Sequence, residues 1–384
     1  MNLEKKEKIV REPLIRLVKR DRIPMWKGLM IRACAIAAAF LVCLAFSFFV
    51  VDVKPDVVIS SFLKGNFGSV RKLFILLKDL SILLLIALAI TPAFRMRFWN
   101  IGAEGQVLVG ALASVSVAYF LGGKLPEAVL LLLMFVCAVA AGALWGFIPA
   151  LFKALWGSNE TLFTLMMNYI ATCLVGYMLA AKFASASNSL PELKVGHFNL
   201  IPKWGFGDET TVIVFAVLIT VLMYIYLRYS KHGYEVSVVG ESENTARYIG
   251  INVKTVIIRT MIISGALCGL AGFLIVAVFD HSITEHTVGG QGFTAIMVSW
   301  LGKFNPFIMA GVAFLISFLN KGADELVSVL SSRGIGMSEE ASAGISPDFP
   351  SVIVGIILFF IVGCEFFINY QLKFKSSKGG AKHG

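Results

Sequence analysis

The stretch that decides the fold is Phe98–Gly110, which reads Phe-Trp-Asn-Ile-Gly-Ala-Glu-Gly-Gln-Val-Leu-Val-Gly. It places two amides and a carboxylate, at Asn100, Gln106 and Glu104, in a region that is apolar on both sides. A carboxylate at the centre of a membrane helix costs about 2.5–3.5 kcal/mol on insertion scales, so it must face protein, water or a solute. Two compatible interpretations follow: a helix start capped by Asn100, and a polar site within a membrane. Glycines in the same stretch permit close helix contact or a helix break, namely Gly102, Gly105 and Gly110.

The composition is that of a membrane protein. Of the 384 residues, 57% are apolar and only 15% are charged, whereas soluble domains have about 25% charged residues. Several nearly charge-free runs reach the roughly 20 residues that a membrane helix needs. We therefore predict an all-α polytopic membrane protein with about ten membrane helices, some of them short, broken or re-entrant.

Cysteine usage and charge exclude other classes. The six cysteines form no CxxC pair and histidine is scarce, so neither a disulfide framework nor a metal site is indicated. The net charge of +10 is concentrated at the chain ends and in short loops. That distribution is typical of membrane orientation rather than of nucleic-acid binding.

The apolar runs and the basic residues between them predict a topology. By the positive-inside rule, we expect a basic cytoplasmic tail at 1–27, a transmembrane domain at 28–370 and a second basic cytoplasmic tail at 371–384. The loop at 229–256 is then cytoplasmic, and the loops at 182–209 and 321–349 are extracytoplasmic. Spans are expected at 28–51, 73–93, 99–121, 128–152, 161–181, 210–228, 257–280 and 350–370.

Residues 288–320 break the pattern of full spans. Two apolar halves of about 13 residues flank Lys303-Phe304-Asn305-Pro306, and each half is short for a full crossing. Because two cytoplasmic tails require an even number of crossings, we predict two short helices around this break. Non-helical backbone at that depth must be shielded by protein or line a cavity.

The loop at 229–256 carries the signals of a short helix. Ser242 is suited to the N-cap, Glu243 and Arg247 are four residues apart, and Gly250 is a helix stop. Such a helix, held between two spans, is either a docking element for a soluble partner or a solvated connection.

Five stretches along the chain carry a resemblance to a known family: Asn100–Gln106, Asn159–Ala171, Val239–Asn252, Gly289–Val298 and Leu301–Pro306. In this order they resemble the permease subunits of ATP-binding-cassette importers, in the branched-chain amino acid/ribose-type membrane component family and its nucleoside/simple-sugar branch. The resemblance extends over about residues 70–370 and implies membership of that family. Neither the basic N-terminus nor the loop at 321–349 matches a feature of it.

The resemblance implies that this chain forms half of a solute translocation pathway in the bacterial plasma (inner) membrane. The implied partners are a second permease subunit, a cytoplasmic ATPase that holds ATP and Mg²⁺, and an extracytoplasmic solute-binding lipoprotein, with membrane lipid around the chain and a small-molecule solute as cargo. This chain would hold no cofactor itself. ATPase contact is implied for five residues of the cytoplasmic loop: Gly240, Glu241, Ala246, Arg247 and Gly250.

Roles within the membrane follow from side-chain chemistry. Glu104 and Gln106 point about 200° apart on a regular helix, so we expect Glu104 to brace a broken segment, with Gly102 and Gly105 as part of the same hallmark. We assign the solute pathway to Asn100, Gln106 and Asn168, because an amide can both donate to and accept from a base or a sugar hydroxyl.

Three other functions compete with that of a nucleoside importer permease. A simple-sugar importer would use the same machinery with another cargo. An ion-coupled secondary transporter would suit the broken helices but usually holds several intramembrane charges. A membrane-embedded enzyme needs a cluster of catalytic groups that the sequence does not suggest. The phosphate-binding motif GxxxxGK[ST] is absent from the sequence, so we expect ATP hydrolysis on a separate subunit.

Overall fold

The computed structural model describes residues 15–19, 24–51, 54–181, 209–333 and 349–374. This part of the chain forms thirteen α-helices and two five-residue strands, which confirms the predicted all-α class apart from the strands. The elements are β1 (Ile15–Lys19), α1 (Met25–Val51), α2 (Pro55–Phe67), α3 (Val70–Arg95), α4 (Ala103–Leu121), α5 (Glu127–Trp156), α6 (Glu160–Ala181), α7 (Glu209–Tyr229), α8 (Lys231–Glu241), α9 (Glu243–Tyr248), α10 (Val253–Leu274), a π-helical turn (Ile275–Asp280), α11 (Gln291–Leu301), α12 (Pro306–Arg333), α13 (Phe349–Asn369) and β2 (Tyr370–Phe374).

Seven helices in the described ranges are long and apolar enough to cross a membrane. They are Val70–Arg95, Ala103–Leu121, Glu127–Trp156, Glu160–Ala181, Thr210–Tyr229, Val253–Asp280 and Pro306–Val329. Two further helices, α1 and α13, contain the shorter apolar stretches Ala37–Phe46 and Val352–Cys364. Most predicted spans agree with these helices to within a few residues.

One predicted span begins too early. The helix expected at 99–121 starts at Ala103, with Gly102 as its N-cap. The Oδ1 atom of Asn100 accepts a hydrogen bond from the Gly102 N–H at 3.0 Å. This local turn holds 100–102 outside the helix, so Asn100 is not the N-cap residue itself.

Residues 63–322 form one compact unit, built around α3, α4, α5 and α10. In α5 and α10 the backbones touch where both helices carry small residues. A Cβ atom on Gly269 would fall on the carbonyl oxygen of Ala138, and one on Gly142 would fall on that of Gly265. The paired positions run in opposite directions along the two helices, so α5 and α10 are antiparallel and packed as closely as membrane helices allow.

Residues 1–62 and 323–384 belong to a second unit. In its described part, α1 packs against α13, and β1 pairs with β2 in antiparallel register from Ile15 opposite Phe374 to Lys19 opposite Tyr370. β1 lies in the basic tail predicted at 1–27, and β2, apart from Tyr370, lies in the basic tail predicted at 371–384; no strand was predicted in either tail. Apolar and polar residues alternate along β2, as in a strand, whereas β1 has two adjacent apolar residues, Leu17 and Val18.

The break at 302–305 is present, but the prediction around it is partly wrong. Helix α11 is short, at 11 residues, whereas α12 continues for 28 residues to Arg333. The segment 321–333 is therefore helical rather than loop; 334–348 lies outside the described residues, as does most of the predicted loop at 182–209. Charged side chains inside α12 concealed its length, and one of them, Lys321, forms an ion pair with Asp79 at 2.7 Å.

Candidate functional site

Glu104 joins the starts of two helices. It lies in the first turn of α4, and its two carboxylate oxygens accept hydrogen bonds from the N–H groups of Gly290, at 2.8 Å, and Gly292, at 2.7 Å. These N–H groups belong to the beginning of α11, where the helix dipole favours negative charge. A Cβ atom on Gly292 would come within 2.5 Å of the Glu104 nitrogen. Glu104 therefore links the first turn of α4 to the start of the short helix α11. Its assigned role as a brace stays a prediction.

The contact between Glu104 and the start of α11 lies deep in the helix bundle, because Asn100, four residues before Glu104, bonds to the middle of α10. Asn100 donates to the Ser264 hydroxyl at 3.4 Å, and Ser264 is the twelfth residue of α10. At 1.5 Å per residue, this position is roughly 16 Å along α10 from its first residue. The preceding segment, 281–290, has no regular helix. The half-helix α11 thus starts near mid-depth, beside irregular backbone, as in transporters.

The two hallmark amides bond to each other. The Asn100 and Gln106 side chains donate and accept reciprocally, each at 3.3 Å, and both are almost fully buried. In the described conformation neither side chain opens to a cavity. Their assigned contact with solute stays a prediction.

Asn168 holds α6 against the start of α4. Its Oδ1 accepts from the Gly105 N–H at 2.9 Å, and its Nδ2 donates to the Ile101 carbonyl at 2.9 Å. Thr164, one turn earlier, accepts from the Ile101 N–H at 3.2 Å. The structure thus brings together all the predicted membrane-site residues. Sequence reasoning missed Thr164, whose position four residues before Asn168 is the signal that could have found it.

Two tryptophans form an exposed stack beside this site. The rings of Trp99 and Trp300 lie 5.3 Å apart at an interplanar angle of 28°, and the residues are 43% and 50% exposed. Trp99 directly precedes Asn100, and Trp300 is at the end of α11. The stack therefore lies on an accessible face next to the braced half-helix.

The predicted helix in the loop is confirmed as α9. The Ser242 hydroxyl accepts from the Thr245 N–H at 3.2 Å, and Arg247 pairs with Glu243 at 3.2 Å. Gly250 adopts φ +85°, the left-handed conformation that ends helices. Sequence reasoning missed α8, which precedes it and is capped by Ser230.

The five residues assigned to ATPase contact divide into two groups. Gly240 and Ala246 are buried, and a Cβ atom on Gly240 would fall on the Arg95 carbonyl oxygen. Glu241, Arg247 and Gly250 are exposed. The hairpin formed by α8 and α9, residues 231–248, therefore has an inner face packed on the chain and an outer face open to a partner.

The inner face of this hairpin joins an apolar cluster at the ends of α3, α5 and α10. The cluster contains Ala93, Met96, Phe98, Ala150, Val236, Val239, Ala246, Val253, Val256, Ile257 and Met261. His232 adds polar anchors, with Nδ1 2.6 Å from the Tyr226 hydroxyl and Nε2 3.4 Å from that of Thr260. Burial lowers the pKa of His232, which favours a neutral ring. The hairpin is thus fixed to the spans.

The outer face presents large side chains to solvent. Tyr248 is 91% exposed and Ile249 is 51% exposed, next to Arg247. Exposed apolar groups at the end of an ordered helix, here α9, are typical of a protein interface.

Long apolar helices and a half-helix that starts near mid-depth beside irregular backbone define the chain as a multi-pass membrane transport protein. It belongs to the family described as branched-chain amino acid transport system / permease component, whose model matches residues 72–362. The chain is therefore a permease component, a transport subunit.

Three similar proteins are each named as an ABC transporter permease protein. The guanosine ABC transporter permease protein NupP of Bacillus subtilis is 28% identical over 83% of this chain and 87% of its own length. The glucose ABC transporter permease protein TsgB13 of Haloferax volcanii is 31% identical over 76% of each chain. The nucleoside ABC transporter permease protein NupB of Lactococcus lactis is 27% identical over 83% of this chain and 87% of its own.

Proposed function

We propose that this chain is the membrane permease subunit of an ATP-driven importer and forms half of the translocation pathway for a nucleoside. The observation that carries the proposal is the α8–α9 hairpin, which is buried against three spans on one face and exposes Arg247, Tyr248 and Ile249 on the other. That division suits an element that transmits a partner's movement. The family match and two relatives named for guanosine and nucleoside support the cargo.

The proposal includes partners and placement. The chain would pair with a second permease, receive solute from an extracytoplasmic solute-binding lipoprotein and contact a cytoplasmic ATPase that holds ATP and Mg²⁺; it binds no cofactor and no nucleic acid itself. It would lie in a bacterial plasma membrane with both termini in the cytoplasm. The basic tails support that orientation by the positive-inside rule.

Packing supplies a physical route from the hairpin to the half-helix. Gly240 touches the end of α3 at Arg95, and seven residues further on Gly102 begins α4, whose Glu104 holds α11. When ATP binding closes the ATPase dimer, the hairpin would be displaced. That displacement would shift the start of α11. Such movement of one rigid part against another is the basis of alternating access.

The polar residues of the site then act in sequence. In the described conformation, Asn100 and Gln106 bond to each other. Withdrawal of α11 would break the bracing at Glu104 and free these amides for the solute, while Asn168 keeps α6 on the start of α4. The Trp99–Trp300 stack offers an exposed aromatic surface on which a nucleobase could stack.

A simple sugar is the alternative cargo, because the relative with 31% identity is named for glucose. Uptake of labelled guanosine, uridine, ribose and glucose by cells with and without this gene separates the two. We expect loss of nucleoside uptake only, and loss of sugar uptake alone would reassign the cargo. Uptake that persists when ATP is depleted but the ion gradient is kept would instead indicate a secondary transporter.

Contact with the ATPase is tested at the exposed end of α9, where Arg247 and Tyr248 lie. We expect Arg247→Glu and Tyr248→Ala to leave the amount of protein in the membrane unchanged and to lower uptake at least about tenfold, because hot-spot side chains of an interface contribute about 2 kcal/mol or more. Lys254→Ala is the matched control, since Lys254 is exposed at the same end but outside the hairpin. Normal uptake by both hairpin variants would reduce the hairpin to a connector.

A further inference from the structure

A cavity of about 580 Å³ lies where three membrane helices end. Its lining comes from the end of α3, the end of α7, the start of α8 and the turn between α11 and α12, all within the unit 63–322. The lining residues are Arg95, Tyr224, Leu227, Arg228, Tyr234, Ser237, Lys303, Phe304, Asn305 and Pro306. The candidate spans that end here are Val70–Arg95, Thr210–Tyr229 and Pro306–Val329. The cavity is therefore at the level where a bilayer has its headgroups.

The charged side chains that line the cavity are all positive. Arg95, Arg228 and Lys303 are cationic, and none of the lining residues is acidic. The carboxylate nearest in sequence, Glu235, lies 4.0 Å from Arg259 instead. The cavity thus concentrates positive charge and suits an anion.

The two arginines are oriented by neutral partners. Arg95 donates to the Leu227 carbonyl at 3.2 Å, and Arg228 donates to the Tyr224 hydroxyl at 3.3 Å. A guanidinium has five N–H donors, so each bond fixes the group and leaves further donors. A fixed guanidinium fork binds phosphate oxygens with two parallel hydrogen bonds.

The turn between α11 and α12 adds a cation and an amide to the same cavity. Lys303 and Phe304 both adopt left-handed backbone conformations, with φ of +50° and +58°. Non-glycine residues in this region cost free energy and cluster at functional sites. Asn305 uses its Oδ1 to accept from the Phe307 N–H at 3.1 Å, and its side-chain nitrogen has no hydrogen-bond partner in the part of the chain that the structure describes. That nitrogen is available to an acceptor.

We propose that this cavity binds the phosphate group of an anionic phospholipid, such as phosphatidylglycerol. Three cations, an amide donor and two tyrosines at headgroup level match an anionic headgroup, and basic pockets between membrane helices take such headgroups. A bound phosphate would link α3 and α7 to the turn between α11 and α12. The site would make the protein dependent on anionic lipid, which goes beyond its role as a permease.

Native mass spectrometry of the purified full-length chain tests the lipid site. Phosphatidylglycerol and phosphatidylcholine are offered at equal concentration. We expect preferential retention of phosphatidylglycerol, and a loss of roughly tenfold or more in that retention for Arg228→Gln combined with Lys303→Gln, given about 1 kcal/mol per basic residue near an anionic surface. Lys254→Gln is the control, because it removes one exposed charge outside the cavity.

Three results would overturn the proposal. The first is equal retention of the two lipids by the unchanged protein, and the second is unchanged phosphatidylglycerol retention in the double variant. The third is displacement of the lipid by millimolar inorganic phosphate, which would assign the cavity to a soluble anion. If the double variant elutes as an aggregate, Arg228→Gln alone replaces it, since Arg228 is exposed in the last turn of α7, and we then expect about a fivefold loss.

Discussion

A buried amide is tolerated inside a membrane protein only when its donor and its acceptor both find partners. Asn168 meets this condition with the Gly105 N–H and the Ile101 carbonyl. The sequence could predict that its burial needs a partner, but not which one, because the partners are more than 60 residues away. The same holds for Glu104, whose bonds to Gly290 and Gly292 span more than 180 residues. The chemistry of a buried polar side chain predicts that it needs a hydrogen-bond partner, but only the fold shows which residue that partner is.

Asn168→Asp separates the two halves of this amide's role. Aspartate keeps an acceptor for Gly105 but loses the donor to Ile101, so we expect a loss of about 1–3 kcal/mol in the free energy of unfolding. Asn159→Asp is the matched control, because Asn159 only accepts, from the Leu162 N–H at 3.2 Å, and aspartate caps as well. Thermal unfolding of the purified variants measures both. Equal midpoints would show that the Asn168 donor is dispensable.

Replacing Glu104 tests whether the carboxylate is a brace or a solute contact. Glu104→Ala leaves two N–H groups at the start of α11 without an acceptor, and we expect a loss of about 1.5–3 kcal/mol in stability together with a lower yield of assembled protein. Glu127→Ala, in the exposed first turn of α5, is expected to be near neutral. Yield and uptake are measured separately. A Glu104→Ala protein that assembles normally yet fails to transport would move this carboxylate to the solute pathway.

At the scale of elements, the sequence predicted helix ends that depend on nearby residues but not those that depend on long-range packing. The start, the ion pair and the stop of α9 were predicted because all lie within nine residues, Ser242 to Gly250. The length of α12 was not, because Lys321 reads as the start of a loop until its partner Asp79 is known. Helix ends that depend on tertiary partners are not readable from the sequence.

Close packing of α5 and α10 leads to a prediction of its own. Gly269→Ala puts a methyl group onto the Ala138 carbonyl oxygen, and we expect a loss of about 1–3 kcal/mol in stability from overpacking. Gly311→Ala is the matched control, since a Cβ atom there meets nothing within 4 Å and alanine favours the helix by about 1 kcal/mol. Unfolding midpoints should therefore move in opposite directions. A Gly269→Ala protein as stable as the parent would show that the two helices can separate at no cost.

At the scale of the molecule, composition and charge predicted the class and a topology, while the fold decides which positions share an end. Helices α5 and α10 are antiparallel, because Ala138 is opposite Gly269 and Gly142 is opposite Gly265. Lys124, in the turn before α5, therefore lies at the opposite end of this unit from Lys254, at the start of α10. By the positive-inside rule, we expect the Lys254 end to be cytoplasmic.

Cysteine accessibility tests this arrangement in whole cells. Single cysteines at Lys124, Lys254 and Lys378 are introduced after the native cysteines are replaced, since Cys34 and Cys173 are exposed. An impermeant maleimide should label Lys124→Cys in intact cells, and should label Lys254→Cys and Lys378→Cys only after permeabilisation. The reverse pattern would invert the orientation and remove the α8–α9 hairpin from the reach of a cytoplasmic ATPase. Labelling of both Lys124→Cys and Lys254→Cys in intact cells would contradict the antiparallel spans, because two positions about one bilayer apart cannot both face outward.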